Sequence, residues 1–471
     1  MTDGKTLAER FLSRKAGADV RAGDYVEAAV DVAMAHDITG PLAFDTFEEV
    51  TGGDGELFAP DRTVLTIDHH APADGVQAAN NHNRLREFAA EHGAQQYEVG
   101  DGICHQVLVE EGFVRPGDLV IGADSHSTTF GGVGAFGTGV GSSDLGTALA
   151  TGELWFRVPE TVRFEVDGEL PDGVYAKDLI LRFIGDVGFD GCTYKAAEYG
   201  GSTVEGLPIH ERLVLANMAI EMGGKAGLVE PDERTVRFLE AQATADAPVE
   251  IPDWLAADDD ADYDAVHRYD ASELAPQVSK PSNPENAVDV DEVLGVEIDQ
   301  LFVGTCTNGR YEDIRLVADV LAGEQLAPGV RMVVVPASGS VYREMLRTGV
   351  TETLVDAGAI VQAAGCGPCA GYHQGVLGDG DVCLATANRN FPGREGSMDS
   401  KVYLASPATV AVSALYGEIT DPRDVETTRY DDYTLSRSGT GDRGSAATDG
   451  GVDVDADSGV DGTVGRRGER R

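Results

Sequence analysis

The sequence predicts an α/β protein built on mostly parallel sheets, and three observations lead there. Short apolar runs at 64–67 and 118–121 end abruptly in polar loops, the usual junction of strand and site in such sheets. After about residue 300, strand-length apolar runs alternate with helical stretches, which is βαβ grammar. A chain of 471 residues with 42% hydrophobic residues has ample core for several domains, at roughly 100–200 residues each.

In chain order, residues 1–35 carry a helical pattern. Leu7, Phe11 and Leu12 share one face, and a second helical stretch is expected through 25–34. The strand at 64–67 runs into Asp68-His69-His70, and that at 118–121 into Gly122-Ala123-Asp124-Ser125-His126. Gly132, Gly134 and Gly137 formally match the dinucleotide fingerprint. A polar loop separates them from the strand, however, and no acidic residue clearly ends a following strand. The glycines are therefore read as close backbone packing beside a site. Residues 241–290 turn to Ala, Asp and Pro and read as a linker between two halves. Strands are then expected near 300–304, 330–335, 359–363, 382–386 and 401–404, with helices near 311–323, 340–348 and 407–416. The stretch 431–471 is Gly/Ser/Asp-rich without apolar period and is expected to be disordered. No internal repeat is visible.

With 36 Lys+Arg against 81 Asp+Glu the chain carries a formal charge of −45. A polyanion such as nucleic acid is repelled by that surface, and so is an anionic membrane. No apolar run approaches the roughly 18 residues that span a bilayer, and the N-terminus lacks a signal peptide's basic-then-apolar order. A soluble, cytoplasmic protein is expected. Only seven of the basic residues are Lys, and the carboxylates are dispersed rather than gathered in a tail. Such a surface stays hydrated in concentrated salt, where screening removes much of its self-repulsion.

Three of the six cysteines fall in loops after expected strands: Cys306, and the pair Cys366 and Cys369. Three thiolates suit an iron–sulfur cluster with one iron lacking a cysteine. They equally suit three-quarters of a zinc site completed by a histidine. Cys104, Cys192 and Cys383 share no such spacing and read as buried free thiols. Arg389 and Arg394 share a Gly-flanked loop after another expected strand, and arginine grips carboxylates bidentately. The first half supplies Asp68-His69, Cys104-His105 and Asp124-Ser125-His126, where a carboxylate can orient an imidazole and raise its pKa for proton delivery.

Together these motifs resemble the aconitase superfamily, and within it the large subunits of 3-isopropylmalate dehydratase and homoaconitase. The similarity runs from Lys5 to Pro422. It implies aconitase-like domains 1 and 2 over 1–290, with the linker near 241–290, and domain 3 over 291–430. These would be three-layer α/β/α units around a central cluster cleft. It implies that Cys306, Cys366 and Cys369 hold a [4Fe-4S] cluster whose open fourth iron acts as a Lewis acid on the substrate hydroxyl. Position by position, Asp68 and His69 resemble the pair that protonates the departing hydroxyl. His105 and Asp124, Ser125 and His126 resemble the shell that orients the iron-bound water. Glu221 resembles a carboxylate near that water, with Asn217 beside it, and Arg389 and Arg394 resemble binders of substrate carboxylates. His36 falls where the superfamily presents a polar side chain to the site.

The stretch after residue 422 is short and without apolar pattern, so the resemblance implies that a swivelling domain, with a catalytic serine and a further arginine, resides on a separate small subunit. The reaction implied is a hydro-lyase step of leucine biosynthesis, interconverting 2- and 3-isopropylmalate. The alternatives are homocitrate, citrate or methylmalate-type acids. Two other classes compete: an RNA-binding relative switched by cluster loss, which the charge disfavours, and a zinc-stabilised binding module without catalysis.

Overall fold

Helix Leu7–Ala16 begins where Thr6 and Glu9 cap each other reciprocally. Its buried Phe11 packs edge-on against Phe136 and Trp254, at centroid separations of 5.8 and 5.5 Å. The computed structural model describes residues 4–242, 248–433 and 435. The stretch expected to continue as helix instead forms two strands, Tyr25–Ala29 and Val32–His36. Val32–His36 is buried at every position, because it is an inner strand of a parallel sheet with the helices Gly40–Thr51, Cys104–Glu110 and Ser142–Thr151 packed against it. A strand buried on both faces has no alternating pattern, so sequence periodicity alone misreads it.

That strand is the middle of a five-stranded parallel sheet, in the order Gln95–Tyr97, Thr63–Thr66, Val32–His36, Leu119–Gly122, Phe136–Gly139. A four-stranded parallel sheet follows, ordered Ala226–Val229, Ala196–Gly200, Thr161–Asp167, Ala265–Asp270. The third sheet has seven strands: Ala287–Asp289, Gln277–Ser279, Lys401–Ala405, Val382–Ala385, Gln300–Val303, Arg331–Val334, Ile360–Val361. Its first two strands are antiparallel additions and the rest are parallel. A two-stranded ribbon joins Tyr25–Ala29 to Glu153–Arg157. The fold is thus α/β with mostly parallel sheets. The helices Tyr311–Leu321, Gly339–Thr348 and Pro407–Tyr416 lie where the periodicity places them.

The 241–290 stretch differs from the expected linker. Ala265–Asp270 pairs along its whole length with Thr161–Asp167, and Gln277–Ser279 joins the third sheet. Its exposed face mixes Val266 with Arg268 and Asp270, and its half-buried face sets His267 between Ala265 and Tyr269, which hides the apolar–polar alternation that a strand otherwise shows. The stretch from residue 431, expected to be disordered, is held in place where it begins. Asp432 accepts from the backbone N–H of His210 (3.0 Å), and the N–H of Tyr433 donates to Glu312 (2.6 Å). The remainder of that stretch lies outside the described residues, Leu435 excepted.

Two features of this topology build the site. In the five-stranded sheet the chain leaves Val32–His36 toward opposite sides, and in the seven-stranded sheet it does the same around Gln300–Val303. Each is a topological switch point, where a crevice opens beyond the C-terminal strand ends. Phe302, fully buried, anchors the second of these strands, and burying a side chain of that size contributes about 1.5–3 kcal/mol. Close backbone packing supports the first. A Cβ on Gly132 would stand 2.7 Å from the Cα of Leu213, so only glycine lets the 3-10 segment Ser125–Val133 lie against helix Ile209–Asn217.

Candidate active site

The two crevices share a cavity of about 230 Å³. From the five-stranded sheet it receives His36, His69, His105, Asp124, Ser125 and His126. From the seven-stranded sheet it receives Cys306, Cys366, Cys369, Asn388, Arg389 and Arg394. Asp68, Asn217 and Glu221 stand behind this wall, each bonded to a residue in it. A hollow of about 500 Å³ beside Glu169 and Arg429 gathers none of these groups.

Ion-paired imidazoles occupy one side. His69 Nδ1 lies 2.8 Å from Asp68 Oδ1, and its Nε2 lies 3.3 Å from Asp124 Oδ2. Asp124 Oδ1 in turn meets His105 Nε2 at 2.9 Å and accepts the His126 backbone N–H at 2.7 Å. His126 Nε2 lies 2.9 Å from Glu221 Oε1, which also accepts from Arg389 Nε at 2.7 Å. A buried carboxylate without such partners would cost several kcal/mol. Burial opposes protonation of His69, yet the Cys366 sulfur, Asp68 and Asp124 together raise it well above the ordinary histidine value. Burial likewise opposes ionisation of Asp124, but His105 and its other histidine partners hold it well below the carboxylate range. Glu221 is lowered against burial by Arg389 and His126. His36 is driven the other way, down to about 4, by burial and by the charge on His69.

The sulfurs form the other side. Cys306 sits in the one-turn helix Thr305–Asn308, and Thr305 has φ 76°, a left-handed conformation rare for a β-branched residue. Such strain persists only where the surroundings over-determine it. Gly367, at φ 57°, turns the chain between Cys366 and Cys369. As free thiols all three would be neutral, for burial pushes Cys306 up to about 12 and raises Cys366 and Cys369 too. Their surroundings nevertheless offer donors to sulfur. Asn217 Nδ2 and Asn388 Nδ2 donate to Cys306 Sγ at 3.1 and 3.5 Å, and Arg394 Nη2 approaches Cys369 Sγ at 3.8 Å. N–H donors aimed at cysteine sulfur tune an iron–sulfur cluster, so the donor set fits such a group. Arg394 Nε is buried without a partner among the described residues, as a group awaiting an anion would be.

Sequence reasoning missed two contributors. Asp37 accepts the backbone N–H groups of Asp68, His69 and His70 at 3.1, 2.9 and 2.9 Å, and so shapes the whole Asp68-His69 turn. Its place directly after Val32–His36 gave no signal, because that strand reads as helix in the sequence. Asn388 bonds Cys306 and Thr307, but an amide within an arginine loop carries no pattern of its own. Cys104, Cys192 and Cys383 are buried free thiols outside the cavity lining.

The sequence model of the aconitase family (aconitate hydratase) matches residues 10–296 and 291–417. A 3-isopropylmalate dehydratase large subunit 1 of Methanopyrus kandleri is 53% identical over 422 residues, 89% of this chain and 99% of that one. A probable 3-isopropylmalate dehydratase large subunit of Methanosarcina mazei is 52% identical over 89% of this chain and 100% of its own. The large subunit 1 of Thermotoga maritima is 47% identical over 89% and 99%. Among solved structures, the holo form of Thermococcus kodakaraensis aconitase X has a TM-score of 0.48 and 13% identity, covering 79% of this chain and 88% of that one.

Proposed function

The chain belongs to the aconitase family, and we propose that it works as the large subunit of a 3-isopropylmalate dehydratase, moving a hydroxyl between adjacent carbons of a hydroxy dicarboxylate by removing and re-adding water. The observation that carries this reading is the convergence of three thiols, an ion-paired histidine and two arginines on one cavity. The names of the relatives, which the chain covers almost end to end, support the substrate and the two-subunit assembly. Ile38, Ile103 and Ala370 in the lining support an apolar substituent such as isopropyl.

Cys306, Cys366 and Cys369 would hold a [4Fe-4S] cluster, with Asn217 and Asn388 donating to Cys306. When bound, that group supplies a Lewis acid toward the substrate hydroxyl. His69 holds the proton. Both its ring nitrogens face carboxylates, an arrangement that suits the imidazolium. The Nε2 proton passes to the departing hydroxyl, which leaves as water, and returns to Nε2 when water re-adds. Asp124 keeps His69 charged and, with Ser125, His105 and His126, orients that water. Arg389 commits Nε to Glu221, which leaves its Nη groups for one substrate carboxylate, while Arg394 meets a second. A base on the small subunit takes the carbon-bound proton. The excess of acids, 81 Asp and Glu against 36 Lys and Arg dispersed along the chain, suits a cytoplasm of high salt. Among the described residues, no helix is long and apolar enough to cross a membrane.

The test is turnover of isopropylmalate, homocitrate, citrate and methylmalate by the cluster-loaded chain, with and without its small subunit. Turnover only in the pair, with the highest kcat/KM for isopropylmalate, is expected. Full activity of the chain alone, or preference for another acid, overturns the reading.

A further inference from the structure

Lys177 is a charge in a place that opposes one. It has no exposed surface and stands in the first turn of helix Ala176–Val187, where the helix dipole disfavours a cation. Lysine is almost never fully buried unless paired. Among the described residues it pairs with no carboxylate. Its neighbour Asp178 accepts instead from the backbone N–H groups of Tyr175 and Gln277, both at 2.8 Å. Nor does Lys177 line the cavity, so it does not touch substrate.

Its Nζ donates to two backbone carbonyls, those of Thr386 at 2.8 Å and Ala387 at 2.6 Å. These are the first residues beyond strand Val382–Ala385, where the ladder ends and carbonyls lose their partners. Thr386 is tied on its other side to the cysteine loop. Its Oγ1 accepts the N–H of Gly304 at 3.0 Å and donates to the Gly304 carbonyl at 3.1 Å. The next residues are Asn388, which reaches Cys306, and Arg389, which reaches Glu221. Both side chains therefore hang from a peptide unit whose orientation the buried amine sets.

We propose that Lys177 is a positioning residue that fixes the 386–389 segment and thereby aims Asn388 at the Cys306 sulfur and Arg389 at the substrate pocket; it rests on the roles proposed above for those two side chains. Burial, which lowers the amine to about 7, does not undo the arrangement, because a neutral amine still has hydrogens for both carbonyls.

The experiment compares Lys177→Met and Lys177→Gln with the parent chain. Hydrogen–deuterium exchange is followed in the full chain, and kcat and KM in the cluster-loaded pair with the small subunit. In Lys177→Met, exchange at 386–390 should rise about tenfold while helix Ala176–Val187 keeps its protection, which a general loosening of the core would not spare. KM should rise and kcat fall, each about tenfold, as expected for misplacement on the scale of an ångström. Lys177→Gln, whose shorter side chain keeps an NH2 donor but not the reach of the amine, should fall between. Unchanged exchange in that segment, or kinetics within twofold of the parent, overturns the proposal. If Lys177→Met does not fold, Lys177→Gln decides by the same criteria, and if both fail to fold the residue is structural and the proposal is wrong. The exchange measurement needs neither cluster nor substrate. A loosened segment in a protein that does not turn over isopropylmalate would thus refute the proposed function and leave the positioning role standing.

Discussion

The imidazole of His36 lies flat on that of His69, with ring centroids 3.8 Å apart and planes 17° from parallel. Two imidazolium charges at that separation repel by about 4 kcal/mol at an effective dielectric near 20, so one ring of the pair is neutral. His69 has Asp68 and Asp124 to keep its proton, whereas His36 accepts an N–H from Ile38 at Nδ1. The stack thus holds a neutral ring over the charged one.

His36→Gln, neutral and polar, should leave kcat within about threefold. His36→Arg sets a fixed cation against His69 and should lower kcat at least tenfold, since even 1.4 kcal/mol of the repulsion is a factor of ten. Steady-state kinetics of the two variants at neutral pH check this.

Cys366→Ser replaces one of three buried sulfurs by an oxygen that binds iron poorly. Visible absorbance, acid-labile sulfide and turnover should disappear together. A colourless variant of full activity would count against the proposed site.

Arg389→Lys keeps the charge but loses the planar fork that serves Glu221 with one edge and a carboxylate with the other. KM should rise at least tenfold, and more than kcat falls. Initial rates over a range of substrate concentration separate the two effects.

Glu395 is fully buried beside the Cys383 thiol, with no charged group at hydrogen-bond distance of either carboxyl oxygen among the described residues. Burial raises it to about 8 from an ordinary 4.5, with Cys383, Arg394 and Lys177 offsetting only part. Between those values the folded chain binds a proton that the unfolded chain has lost. Stability therefore falls as pH rises through that window, by up to about 1.4 kcal/mol per pH unit, and levels off above it. Denaturant midpoints from pH 5.5 to 8.5 should show this decline, and Glu395→Gln should flatten it.

The five parallel strands of the seven-stranded sheet were legible because they are short apolar runs followed by polar loops, Gly- and Cys-bearing after Gln300–Val303 and Gly-bearing after Val382–Ala385. Asp68, His69, Asp124 and Cys306 were legible for the same reason, each standing just past a strand. Three features were not. Val32–His36 is apolar on both faces and mimics a buried helix turn. Ala265–Asp270 puts Val266 on its exposed face and His267 on its half-buried one, so no apolar alternation marks it. Asp37 and Lys177 act on backbone atoms, which leave no trace in side-chain patterns.

The cavity's two walls also set an order of events during synthesis. The imidazole wall is complete once residues 36–126 have left the ribosome, but its partner needs 306–394, and the contacts that join them span distances such as the 304 residues between His69 and His373. Pairings of that reach form late. A polypeptide released before residue 369 would therefore carry its proton-handling histidines with an incomplete set of the cysteines proposed to hold the cluster.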